Sequence, residues 1–447
     1  MKKVITYGTF DMFHYGHQRL LERAKALGDY LIVGVTADGF DMARGKINVQ
    51  QSLIERIENV RATGLADKII VEEYEGQKID DVKRYDVDIF TEGDDWSGKF
   101  DYLKEYCEVV YLPRTCGVSS SEIRAGKGEL RLGIVGDSVL VNKIFRESRY
   151  VNGINSICIC TTDPDIIDRD IRDKVRVTDS YSELLGLVDA VYVLVHPKDH
   201  YRTIHEALSK KKSVICESPI AVSLDELHDL QHLASISGCV LMDAIKTAYS
   251  LAYYHMLLLV KTGKIGEVLS VDAVCTSQAG LRYKNRMNLQ KTWNSMCSWG
   301  PTAMLPVFQI LGSGYKEKTI ASHFSSENEE YDLFSKISFV FDKAVASLMI
   351  GKGIKSEGEL VISGTDGYVY VPAPWWKTDY FELRYEDQSR NKRYFYQLDG
   401  EGIRYELLSF LKCISTGRNF SYIDSAISET IVGVIDDFYC RKDFIRI

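Results

Sequence analysis

Eleven residues near the start of the chain carry a recognisable chemistry: Tyr7-Gly8-Thr9-Phe10-Asp11-Met12-Phe13-His14-Tyr15-Gly16-His17. His14 and His17 stand three apart, with Gly16 between them. Imidazoles so spaced can stabilise charge that develops on a transferring phosphoryl group. A glycine between them lets a bound group approach the backbone. A pair of histidines alone reads more readily as capped or packed, so the surroundings decide.

Those surroundings predict a strand, a tight turn and a helix. Val4-Ile5-Thr6 is an apolar run, and Leu20, Leu21, Ala24 and Leu27 recur at helical spacing. A helix start offers amide groups and the positive end of its dipole, which suit a phosphate. Further strands are expected at Tyr30–Val35, Lys68–Val71, Val87–Thr91 and Glu108–Leu112, with helices near Gln51–Thr63 and Ile79–Arg84. This alternation argues for a parallel α/β sheet, whose ligands sit at the carboxyl ends of its strands. Three loops then share one cleft: the histidine turn, Gly93-Asp94-Asp95-Trp96, and Arg114-Thr115-Cys116-Gly117-Val118-Ser119-Ser120-Ser121.

The string Gly-Thr-Phe-Asp-x-x-His-x-Gly-His resembles the HxGH signature of the cytidylyltransferase and nucleotidyltransferase superfamily. Tyr7–His17, Leu20–Tyr30, Gly93–Phe100 and Tyr111–Ser120 extend the resemblance to bacterial glycerol-3-phosphate cytidylyltransferases over residues 1 to about 125. The resemblance implies attack of an acceptor phosphate oxygen on the α-phosphorus of CTP. It implies triphosphate contacts from His14 and His17, charge from Lys46 and Arg114, and a phosphate site lined by the backbone of Gly8, Thr9 and Phe10. Gly16, Asp95, Thr115, Ser119 and Ser120 complete the nucleotide site, Asp11 faces the acceptor, and Mg²⁺ bridges phosphate oxygens. The implied partners are CTP and a small phosphorylated alcohol, best read as glycerol 3-phosphate. Such products feed teichoic-acid-like or capsular polymers in bacteria. Taken singly, Lys46 also reads as a solvated loop charge, Trp96 as core, and the serines as helix caps. Cys116 stands where the family carries a glutamate, and Arg61 or Gly64 where it carries a basic residue.

At 447 residues, with 45% apolar content, the chain exceeds one ordinary core. A net charge of −8 gives no basic surface for nucleic acid or membrane. The apolar run Leu251–Val260 is too short to insert into a bilayer. No signal-peptide pattern opens the sequence, and ten scattered cysteines read as core thiols of a reducing cytoplasm.

Ala125-Gly126-Lys127-Gly128-Glu129 is a glycine-bearing connector. We expect domains at 1–128, 129–245 and 246–447. Beyond the connector a second α/β alternation begins, with strands at Leu132–Val135, Ser156–Cys160, Ala190–Val195 and Ser213–Cys216. After about Gly266 the pattern becomes a run of strands with few helices, as in a mostly antiparallel sheet. Two helices, near Arg404–Ser415 and Ser425–Tyr439, close the chain. The fold class is therefore α/β, and the family resemblances, that of the first domain and the one set out next for the second half, imply a Rossmann-like nucleotidyltransferase domain, then a Rossmann-like domain and an α/β domain with a mostly antiparallel open sheet.

His196-Pro197-Lys198-Asp199-His200, Cys216-Glu217-Ser218-Pro219 and Gly263-Lys264-Ile265-Gly266-Glu267 make this half resemble the Gfo/Idh/MocA oxidoreductases. The resemblance implies NAD(P), yet the motifs depart from it. The dinucleotide turn Gly-x-Gly-x-x-Gly reads Gly136-Asp137-Ser138-Val139-Leu140-Val141. Ser218 replaces the family's catalytic lysine, Thr302 its histidine and Leu305 its aspartate, and none of the three can act as their acid–base groups. We read a non-catalytic module for binding, scaffolding or oligomerisation, and expect a homo-oligomer because both families commonly form one. Two alternatives stay open: a bifunctional enzyme with an active NAD(P) reductase, and a metabolite-sensing regulator. Lys246 is either a displaced base or a surface lysine, and Trp293, Trp299, Trp375 and Trp376 line a pocket or pack.

Overall fold

A computed structural model describes residues 1–11, 13–37, 53–72, 74, 76–113, 129–151, 153–278, 292–326, 328–396 and 398–447, apart from the side chains of residues 54, 55, 95 and 399. The chain divides into two units, Met1–Glu129 and Leu130–Ile447.

In the first unit the described strands are β1 (Lys3–Gly8), β2 (Tyr30–Thr36), β3 (Lys68–Glu72), β4 (Ile89–Gly93) and β5 (Glu108–Leu112). They form a parallel sheet in the order β3-β2-β1-β4-β5. Helix α1 spans Tyr15–Lys25, and further helices cover Leu53–Ala62 and Gln77–Tyr85. Side chains alternate across a strand, so consecutive apolar residues serve opposite faces. Val4, Leu31, Val33 and Val35 pack with Leu21 and Ala24 of α1 and with Val60. Ile5, Tyr7, Ile32 and Phe90 pack on the other face with Val82, Phe100 and Leu103. Both faces are covered, which is why these strands read as continuous apolar runs.

The second unit opens with β6 (Leu130–Val135), β7 (Ile154–Cys160), β8 (Arg176–Thr178), β9 (Ala190–Val193), β10 (Ser213–Glu217) and β11 (Leu241–Ala244). These form a parallel sheet, order β11-β10-β9-β6-β7-β8. A mixed, mostly antiparallel sheet follows. Its strands are β12 (Val268–Thr276), β13 (Glu317–Phe324), β14 (Asp332–Val340), β15 (Val345–Gly351), β16 (Leu360–Gly364), β17 (Gly367–Val371), β18 (Tyr380–Tyr385), β19 (Lys392–Phe395) and β20 (Phe444–Arg446). Their order is β19-β18-β17-β16-β12-β15-β14-β13-β20.

Two elements differ from the sequence reading. Ser295–Leu311 is a long, mostly buried helix despite Pro301 and Pro306 inside it. Proline removes a donor and crowds the preceding turn, but burial on nearly every side of this apolar segment outweighs that cost. β13 also escapes a simple alternation, because Lys318 takes an inward position, only 7% exposed. Its Nζ lies 2.9 Å from Asp437 and 2.7 Å from Asp443, which supply the charge that burial demands.

Candidate functional site

The sheet order of the first unit reverses between β1 and β4. Such a switch point opens a crevice at the strand carboxyl ends. β1 delivers the histidine turn there, and β4 delivers Gly93-Asp94-Asp95-Trp96. The turn is built tightly. A Cβ on Gly8 would stand 3.0 Å from the Phe10 ring. Phe10 has φ of 54° and is 1% exposed. A left-handed backbone at a bulky residue is costly and persists only where packing over-determines it. Here the ring is wedged into the core beneath α1 and meets His17 edge-on at 5.5 Å.

His14 is the N-cap of α1. Its Nδ1 accepts from the amides of Gly16 at 3.0 Å and His17 at 3.4 Å. With two donors on Nδ1, the neutral tautomer carries its proton on Nε2, an N–H of the kind that can donate to an anion. The amide of Gly16 is thereby spent on His14. His14 and His17 lie ring over ring, 3.8 Å between centroids and 17° from parallel. The two imidazoles form one stacked unit at the positive end of the helix dipole, suited to neutralise charge on a phosphoryl group.

Arg56, on the helix Leu53–Ala62, was not legible as a site residue. It is fully buried, and its guanidinium donates to the carbonyl oxygens of Thr9 at 2.7 Å and Thr36 at 2.8 Å. It thus ties the turn after β1 to the end of β2. Its only sequence signal is its place on the inward face of a helix. Asp11 is 4% exposed within the same turn. Trp96 is half-buried and packs against Phe100 at 5.8 Å with the rings tilted, and the Lys99 ammonium lies over its ring at 4.7 Å. Arg61 is exposed and pairs with Glu58. Lys46, Arg114, Thr115, Ser119 and Ser120, and the side chain of Asp95, lie outside the described residues. The structure therefore brings His14, His17, Gly8, Thr9, Phe10, Gly16 and Asp11 together in one turn.

The second unit has its own switch point, between β9 and β6. A cleft of about 1530 Å³ opens there, reaching from Asp137 and Ser138 after β6 past His196 to Trp293 and Lys352. Gly136 has φ of 152°, and a Cβ would meet the Leu194 carbonyl oxygen at 2.6 Å, so only glycine fits. The next two residues both accept hydrogen bonds, from different neighbours. Asp137 accepts from Thr161 Oγ1 at 2.8 Å, the Thr162 amide at 2.7 Å and Thr162 Oγ1 at 2.8 Å. Ser138 Oγ accepts from the Leu140 amide at 3.3 Å.

Other candidates in this unit have structural roles. His200 is fully buried, its ring nitrogens 2.7 and 2.9 Å from the carbonyl oxygens of Pro219 and Val195. Burial pushes it down to about 4 and keeps it neutral. Lys246 is not a surface lysine: it is half-buried and ion-paired to Glu401 at 2.7 Å. Glu401 also pairs with Lys143 and Lys377. Trp375 is fully buried and donates to the Val274 carbonyl at 3.1 Å, while Trp299 and Trp376 pack against each other at 4.8 Å.

A family model described as cytidylyltransferase-like matches residues 5–126, and one described as an oxidoreductase family with an NAD-binding Rossmann fold matches residues 131–244. The chain belongs to the cytidylyltransferase-like family through its first unit. It is 53% identical over 130 residues to a glycerol-3-phosphate cytidylyltransferase of Bacillus spizizenii, across 29% of this chain and all of the relative. It is 49% identical over 124 residues to the enzyme of that name from Bacillus subtilis, across 28% of this chain and 95% of the relative. The second unit shares the fold of a 3-ketoreductase from Actinomadura kijaniata solved with NADP and TDP-benzene. The TM-score is 0.63 at 15% identity, over 72% of this chain and all of that one.

Proposed function

We propose that the first unit transfers CMP from CTP to a polyol phosphate, glycerol 3-phosphate in our reading, releasing pyrophosphate and forming CDP-glycerol. The observation that carries this is the stacked His14–His17 pair at the mouth of α1, in a unit that matches glycerol-3-phosphate cytidylyltransferases over their full length. An acceptor phosphate oxygen attacks the α-phosphorus in line, and the β-phosphate oxygen departs with its electron pair. Such transfer asks the protein mainly for positioning and charge stabilisation. His14 offers its Nε2–H, held by the two amides on Nδ1, and His17 lies directly against it. The turn of Gly8, Thr9 and Phe10, anchored by Arg56, cradles the phosphates. Lys46 and Arg114 add positive charge; Gly16, Asp95, Thr115, Ser119 and Ser120 complete the nucleotide site, and Asp11 orients the acceptor. Mg²⁺ would be carried mainly by triphosphate oxygens. Such an ion takes one or two carboxylates plus substrate phosphates, and no group of three or more protein ligands is placed to hold one among the described residues. Release of pyrophosphate from CTP on addition of glycerol 3-phosphate tests the reading.

We read the second unit as non-catalytic in oxidation and reduction, dividing near residue 245 where the parallel sheet ends at β11. In this fold the pyrophosphate rests on the amides of the first helix, and an acidic side chain at the end of the second strand holds the ribose. Here Ser138 takes the Leu140 amide and Asp137 puts a carboxylate at the turn. β7 is followed by Thr161 and Thr162, whose hydroxyls serve Asp137, and then by Asp163, which lines the cleft and accepts from the Asp165 amide at 3.2 Å. The turn fits a pyrophosphate poorly. The match to an NAD-binding family model keeps an active reductase as the alternative, and titration with NADH and NADPH decides between them. A cytoplasmic homo-oligomer supplying a cell-wall or capsule polymer completes the proposal. No described helix is long and apolar enough to cross a membrane.

A further inference from the structure

The lining of the second unit's cleft holds a cation, Lys352, that has no counter-ion among the described residues. Lys352 follows β15, and its Nζ donates to the Trp293 carbonyl at 2.8 Å and to Ser298 Oγ at 3.4 Å. Both partners are neutral, and among the described residues no carboxylate lies within ion-pair distance. The acidic group that acts on it, Asp332, is engaged elsewhere, accepting from the Met296 amide at 3.1 Å and Ser335 Oγ at 2.6 Å. Other cations on the cleft are neutralised: Lys198 by Glu330 and Arg202 by Asp199. Burial pushes the Lys352 amine down to about 8, partly offset by Asp332. A charge drawn out of water normally has a partner, and Lys352 is half-buried on the lining of the cleft.

A second observation points the same way. Tyr331 lines the cleft, is 2% exposed, and its hydroxyl has no hydrogen-bond partner among the described residues. A buried hydroxyl left unpaired costs free energy that a ligand would recover. Trp293, Ser298 and Asn328 supply an indole face, a hydroxyl and an amide to the same lining.

We propose that this part of the cleft, at Lys352 and Tyr331, binds the phosphate of a small phosphorylated polyol, with no oxidation or reduction. Lys352 supplies a point charge to the phosphate, and Tyr331 donates its hydroxyl. The polar lining receives the polyol hydroxyls. The inference rests on the reading of the second unit as a binding module, and its test is kept apart from the first unit's chemistry.

The test is calorimetric titration of the full chain with glycerol 3-phosphate, with inorganic phosphate and glycerate as parallel probes. The expected result is two sites in the native chain and one in Lys352→Met, with pyrophosphate release from CTP unchanged in that variant. Lys352→Arg keeps the second site, and Tyr331→Phe, which retains the ring, weakens it at least tenfold. Glycerol 3-phosphate binds there at least tenfold more tightly than glycerate, since a phosphate carries the greater charge. If CTP turnover is absent but Lys352→Met still abolishes one binding event, the reading of the first unit fails and this site stands. Unchanged stoichiometry and affinity in both Lys352→Met and Tyr331→Phe would overturn the proposal. So would tighter binding of glycerate, or reduction of a ketose phosphate by NADH or NADPH.

Discussion

Replacing His14 separates the two tasks that the structure gives it. His14 caps α1 through Nδ1, at 3.0 Å and 3.4 Å from two amides, and stacks on His17 at 3.8 Å. His14→Ala removes both roles. Loss of an N-cap costs about 1 kcal/mol, and loss of one electrostatic donor to a transition state costs about 10²–10³ in rate. His14→Asn removes only the second role, because asparagine is a favoured N-cap and can accept from the same amides. The account therefore predicts that both variants lose turnover by about 10²–10³-fold in a pyrophosphate-release assay with CTP and glycerol 3-phosphate. Only His14→Ala should lower the midpoint of thermal unfolding of the first unit. Turnover in His14→Asn within tenfold of the native chain would refute the reasoning, since capping would then be the residue's whole contribution.

Three further predictions follow from other parts of the molecule. Arg56→Met should lower kcat for CTP at least tenfold, because the Thr9 carbonyl loses the donor that ties the turn to β2; Arg56→Lys should restore part of it, and steady-state kinetics of the two variants checks this. Titration of the full chain with NADH or NADPH, followed by fluorescence, should show no micromolar binding, because the Ser138 hydroxyl and the Asp137 carboxylate occupy the turn after β6. For Glu401, burial alone would raise the carboxyl, but Lys143, Lys246 and Lys377 outweigh it and hold it down at about 2. Its pKa is lowered on folding, so its contribution to stability is present above the ordinary glutamate range and is lost as pH falls from about 4.5 toward 2. Acid unfolding of the native chain and Glu401→Gln, followed by circular dichroism, should show the native chain losing more of its stability across that window.

The turn after β1 was legible because its chemistry and its supports are contiguous: an apolar run, Gly8, two histidines and a helical repeat within about 25 residues. The parallel sheets were legible from the same alternation of apolar runs and helical spacing. Arg56 was not, because an arginine on an amphipathic helix reads as solvated, and only the fold shows that it turns inward onto two carbonyl groups. The helix Ser295–Leu311 was obscured by its prolines and by burial on nearly every side, which erases periodicity. Lys318 hid β13, since its partners Asp437 and Asp443 lie more than a hundred residues away in sequence. Lys352 gave no sign at all, because its meaning lies in its neutral hydrogen-bond partners, Trp293 and Ser298, more than fifty residues away in sequence.

One assay bears most directly on the central claim. CTP labelled at the α-phosphate is incubated with the full chain, Mg²⁺ and a panel of polyol phosphates, and the nucleotide products are separated. The account predicts CDP-glycerol and pyrophosphate in equal amounts, with glycerol 3-phosphate the fastest acceptor and no product when His14 and His17 are both replaced by alanine. Absence of a CDP-linked product from every polyol phosphate, or undiminished product from the doubly substituted chain, would contradict it.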